Sequence, residues 1–170
     1  MKTNRLTHIA LVAAGYCAVT LVIAPLSFGS IQLRVSEALT LLAINGWDDI
    51  WGLTLGCFMA NVLGIIISAD AIGPMDAVFG TCATFIAAVL TFHLAGRRLW
   101  GQPLLAALMP VVCNGLIVGL ELAITLGGHD SFYAAWLIYG LQVAAGEAVV
   151  VFALGLPLSN YLGRRHLNHE

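Results

Sequence analysis

The sequence predicts an all-α, polytopic membrane protein of six transmembrane helices with a short second helix. Three observations carry that expectation. Of 170 residues, 60% are hydrophobic and 9% charged, whereas a soluble domain carries about 25% charged residues. Apolar runs near the ~20 residues that span a bilayer recur along the chain. Turn signals separate them at Asn45-Gly46, Gly73-Pro74, Gly101-Gln102-Pro103 and Gly127-Gly128.

The first run, 6–28, follows Lys2 and Arg5. It is longer than the 7–15-residue core of a secretory signal and no Ala-x-Ala site follows it, so it reads as a retained first helix. Residues 35–45 are apolar but too few to span as an α-helix, which predicts a short or re-entrant second element. Runs 50–68, 74–95 and 103–126 each have spanning length. The last, 132–162, is long enough to tilt or to project into water. No linker or low-complexity stretch divides the chain, so residues 1–170 form a single membrane domain.

Orientation follows from the basic residues. With six crossings, Lys2/Arg5, Arg97/Arg98 and Arg164/Arg165 fall on one side. The positive-inside rule makes that side the cytoplasm, with both termini there. The opposite side carries Asp70, Asp130 and a single basic residue, Arg34.

Several function classes are excluded by what the chain contains. Its formal net charge is −2 and its basic residues sit at helix ends, so no stripe tracks a phosphate backbone. The only lysine is Lys2 and there is no Gly-x-x-x-x-Gly-Lys-Ser/Thr loop, so the chain is not its own P-loop ATPase. No Gly-x-Ser-x-Gly or His-Glu-x-x-His occurs, and the scattered histidines make no catalytic set, so no enzyme activity is expected. Cys17, Cys57, Cys82 and Cys113 form no Cys-x-x-Cys pair and stand near no His at zinc spacing. They read as buried packing residues, and no metal site is expected.

The polar residues inside the apolar runs are the informative ones. An ionisable side chain at mid-membrane costs about 2.5–3.5 kcal/mol on insertion scales, so it usually faces a cavity or a partner. Arg34, Glu37, Asp76, Glu121 and Glu147 are of this kind, with Asn61, Asn114 and Gln142 beside them. Under the six-crossing topology most fall in the outward half. Asn114 and Glu121 share a helical face, as do Tyr139 and Gln142, whereas Glu147 lies roughly 140° round from Gln142. Carboxylates, amides, one guanidinium and the aromatics Phe79 and Tyr139 together suit a polar, planar ligand. A carboxylate accepts two adjacent N–H groups in parallel, and Glu121 is the favoured candidate, then Glu147, then Glu37. The competing reading is that amides and a Glu–Arg pair glue helices together. The chain would then be a small membrane scaffold or channel without a high-affinity ligand.

Small residues recur at four-residue spacing as Ala10/Ala14/Ala18, Gly52/Gly56 and Gly115/Gly119, which lets helix backbones approach closely. The alanine face is the best candidate for contact with another subunit.

At Ser27-Phe28-Gly29-Ser30-Ile31-Gln32-Leu33-Arg34-Val35-Ser36-Glu37-Ala38-Leu39-Thr40 the sequence resembles the QueT family. The likeness continues through Trp51–Cys57, Gly73–Gly80, Asn114–Glu121 and Gly146-Glu147. Members are substrate-binding S components of energy-coupling-factor transporters, associated with uptake of queuosine precursors. The resemblance implies a six-helix S-component-like bundle with its ligand in the outward half, the ligand being a modified 7-deazaguanine, queuine or queuosine. It also implies docking through the Ala10/Ala14/Ala18 face onto a transmembrane T component that carries two ATPases. ATP would be used by those subunits, and no cofactor is expected in this chain.

Overall fold

A computed structural model describes residues 2–28, 33–69, 72–127 and 131–167; Asp70 and Asp130 lie outside the described residues. Among those described, the chain is helical throughout: α1 (Lys2–Val22), α2 (Ala24–Ser27), a 3-10 helix (Val35–Asn45), α3 (Trp47–Ile66), α4 (Pro74–Leu94), α5 (Leu104–Leu126) and α6 (Phe132–Val150). A π-turn (Val151–Gly155) then leads directly into α7 (Leu156–Leu167). Five stretches are long and apolar enough to cross a membrane, the last running Phe132–Tyr161. Large apolar side chains such as Leu11, Val22, Ile66 and Val78 are exposed, whereas Arg34, Glu37, Asp76, Glu121 and Glu147 are buried. That inversion of the usual order is what hydrocarbon solvent imposes.

Local chemistry sets the breaks. The run 6–28 is not one helix: α1 ends at Val22 and Pro25 opens the separate turn α2, because proline cannot donate into a continuing ladder. Gly73, at φ 76°, caps α4 in a conformation that disfavours side chains, and Pro74 takes the first helical position. Inside α5, Pro110 deprives the Ala106 carbonyl of its usual donor. The Thr91 hydroxyl of α4 donates to that carbonyl instead, at 3.0 Å.

The second element solves the length problem by its geometry. As an α-helix, eleven residues would rise about 16 Å; as a 3-10 helix they rise about 22 Å. Such long 3-10 runs are uncommon. This one is held by its neighbours, and Gly155 of the π-turn lies against it, with so little room that a Cβ would sit 3.1 Å from the Ala38 carbonyl.

Helix registers are fixed by small residues. Helices α1 and α3 run parallel, with Gly52 against Val12 and Gly56 against Ala13 and Tyr16. At the same end Arg5 pairs with Asp48 at 2.6 Å and His8 with Asp49 at 2.8 Å. Helices α5 and α6 run antiparallel, Gly115 facing Ala144 and Gly119 facing Gly140, where a Cβ on Gly119 would come within 2.5 Å of the Gly140 Cα. The start of α3 meets the end of α4 through Trp47 and Phe92, ring centroids 6.0 Å apart. Asn160 of α7 donates to Gln102 at 2.8 Å. The start of α1, Arg97/Arg98 and the tail of α7 therefore gather at one basic end.

Candidate functional site

Two linked polar groups occupy the interior. The first lies toward the end opposite the basic one. Arg34, just ahead of the 3-10 helix, pairs with Asp76 in the first turn of α4. Its guanidinium also stands over the Phe28 ring, 5.7 Å from the centroid. Asn61 of α3 donates to the Asp76 backbone carbonyl at 2.8 Å, tying the outer ends of α3 and α4 together. Gly80, one turn past Asp76, gives these side chains their space. A Cβ there would lie 2.8 Å from Asp76 Oδ1, 3.0 Å from an Arg34 guanidinium nitrogen and 3.1 Å from Asn61 Nδ2.

The second group lies about 15 Å below the start of α4, at mid-depth. Glu37 accepts from three hydroxyls: Tyr16 of α1, Thr40 one 3-10 turn on at 2.6 Å, and Thr84 of α4 at 2.9 Å. Thr84 also stands 3.3 Å from Cys57 Sγ. A carboxylate with three hydroxyl donors is well satisfied in a dry interior, so Glu37 knits α1, the 3-10 helix and α4.

Other interior polar atoms are not satisfied, some of them in the first group. Arg34 Nε, Asn61 Oδ1, Asp76 Oδ1, Thr81 Oγ1, Asn114 Nδ2 and Glu147 Oε2 are buried without a hydrogen-bond partner. Each such atom costs roughly 1–3 kcal/mol. They lie on the 3-10 start, α3, α4, α5 and α6.

The residues expected from the sequence thus fall into groups. Arg34, Asn61 and Asp76 come together; Glu37 belongs to the hydroxyl cluster. Asn114, Glu121 and Glu147 are buried on α5 and α6. Phe79 is half-buried; Tyr139 is half-buried and packs against Ala83, Val118, Leu122 and Val143. Gln142 is not brought to this interior: it is exposed on α6, while Glu147, five residues on, turns inward. The cysteines also differ from expectation. Cys17, Cys57 and Cys113 are buried, but Cys82 is exposed, and Cys57 is a polar contact rather than filler.

Tyr16, Thr40, Thr84, Cys57 and Gly80 escaped the sequence reading. Asp76, Gly80 and Thr84 recur every four residues on one face of α4, a pattern that extends the Asp76 signal. A groove of about 580 Å³ between α5 and α6, lined by Val111, Leu116, Tyr133, Trp136 and Leu141, is almost wholly apolar and none of the buried carboxylates lines it.

A family model described as QueT transporter matches residues 6–164. The chain belongs to the QueT transporter family. No curated protein and no solved structure matches it. Membership makes this QueT chain a membrane transport protein.

Proposed function

We propose that this QueT chain is the substrate-binding S component of an energy-coupling-factor importer, and that it binds a 7-deazaguanine precursor of queuosine. The observation that carries the reading is the set of unpaired polar atoms buried on five segments of a membrane protein. A scaffold gains nothing from unpaired groups, since helix glue works only when its hydrogen bonds are made.

The ligand fits the donors and acceptors on offer. A 7-deazaguanine presents a ring N–H beside an exocyclic amine, which one carboxylate accepts in parallel by charge-assisted bonds. Asp76 is committed to Arg34 and Glu37 to three hydroxyls; Glu121, on the same face of α5 as Asn114, is the carboxylate we assign to the base edge, with Glu147 next. Asn114 and Asn61 serve the carbonyl and ring nitrogens, and Phe79 or Tyr139 stacks.

The partners follow from the same family role: a transmembrane T component and two ATPases that use ATP, with the basic end in the cytoplasm. Ala10, Ala14 and Ala18 are exposed along α1, on the side away from the α3 glycines. They form the face we assign to the T component.

Affinity purification from the native host, followed by mass spectrometry, tests the reading. It predicts co-elution of two ATPases and a second membrane protein, with a deazaguanine released on denaturation. A chain that elutes alone and ligand-free from cells supplied with queuosine precursors would contradict it.

A further inference from the structure

We propose that the turn joining α4 to α5 is a binding site for anionic phospholipid. Trp100 seats among the headgroups there, and Arg97 and Arg98 hold the phosphate. The site lies on the surface of the basic end, apart from the polar interior, and is independent of the importer reading.

The turn is a closed two-residue hairpin. The Leu99 N–H donates to the Gln102 carbonyl at 2.9 Å, and the Gln102 N–H returns to the Leu99 carbonyl at 3.0 Å. Its central residues, Trp100 and Gly101, have φ of 50° and 75°, as a type I′ turn requires. Glycine suits the second place, but Asn, Asp or Gly normally fills the first. A bulky side chain at positive φ is an outlier, and such strain gathers where it serves a function. Core packing does not explain this one, because Trp100 is 93% exposed and its neighbour Leu99 48%. The hairpin is nevertheless fixed to the bundle, since Gln102 accepts from Asn160 of α7 at 2.8 Å.

Depth and charge identify the occupant. The hairpin joins two spans, Pro74–Leu94 and Leu104–Leu126, so the chain leaves the hydrocarbon and re-enters it here. A hairpin two residues deep reaches about 7 Å, comparable with the headgroup layer of roughly 5–8 Å on each side. That depth accommodates both the apolar body of tryptophan and its N–H donor. Arg97 and Arg98 are exposed in the same turn, and among the described residues neither makes an ion pair. From Ala95 to Leu104 the chain carries no carboxylate. Guanidinium forks match phosphate oxygens in pairs, so this uncompensated charge complements a phospholipid whose headgroup leaves its phosphate negative.

The test is native mass spectrometry of the full chain released from nanodiscs of equal phosphatidylglycerol and phosphatidylcholine. The parent should retain phosphatidylglycerol at least about fivefold over phosphatidylcholine, the factor that one arginine near an anionic surface supplies. Arg97→Gln with Arg98→Gln should bring that ratio within about twofold. Trp100→Asn supplies the Asn-Gly pair that this turn prefers. Its unfolding midpoint in lipid-free detergent should therefore hold or rise, while phosphatidylglycerol retention falls at least about threefold. A parent without the preference overturns the proposal, as does a double arginine variant that keeps it. A lower midpoint for Trp100→Asn would show that Trp100 packs within the fold and overturn its role. Unchanged lipid retention in that variant overturns the role too, and loss of a co-purifying protein would show that the hairpin meets a subunit instead.

Discussion

Glu37 and Glu147 are the same residue type at similar burial, yet their surroundings assign them different work. Glu37 has Tyr16, Thr40 and Thr84 as donors, so it stabilises the fold; Glu147 has an open oxygen, so it is available to a solute. Removing one donor from the first should therefore register in stability. Tyr16→Phe keeps the ring packed but withdraws a hydrogen bond to a charged acceptor, worth roughly 1.5–3 kcal/mol. Thermal unfolding in detergent should show a lower midpoint, with ligand affinity near the parent's. An unchanged midpoint would mean that Glu37 is not held through Tyr16.

Among the elements, α1 divides its two faces between jobs. Its inner face receives Gly52 and Gly56 of α3, and its outer face presents Ala10, Ala14 and Ala18. Replacing Ala14 by Trp leaves the α3 contact intact and blocks close approach of another helix. Uptake in cells should fall to background while the isolated chain still binds ligand; loss of binding as well would show that this face packs internally. The alanine stripe was legible in the sequence because small residues at four-residue spacing are a local pattern, as were the spans, which composition sets. What could not be read was longer-range. The 3-10 form of Val35–Asn45 and the hydroxyls that converge on Glu37 depend on which helices meet, and no local spacing encodes that; the division of 6–28 at Pro25, by contrast, has a local cause in the proline. Gln142 shows the same limit. Its polarity matched the site residues, but the phase of α6 about the α5 contact points Glu147 inward and Gln142 outward.

For the whole molecule, the parallel α1/α3 pair and the antiparallel α5/α6 pair place Arg5, Arg97 and Arg98 at one end, and the positive-inside rule predicts that this end faces the cytoplasm. In a background without native cysteines, Ser131→Cys should label with an impermeant thiol reagent in intact cells and Gly96→Cys should not. The reverse pattern would invert the site and with it the direction of uptake. The central claim is that the polar interior is kept for a ligand at a cost to the fold. Asn114→Leu tests this most directly, because Leu nearly matches the side chain in shape and removes the Nδ2 that has no partner. Unfolding midpoint and 7-deazaguanine affinity measured on the same purified variant should move in opposite directions: a more stable protein that binds at least about tenfold more weakly. A variant that binds as the parent does, or that loses stability, would contradict the account.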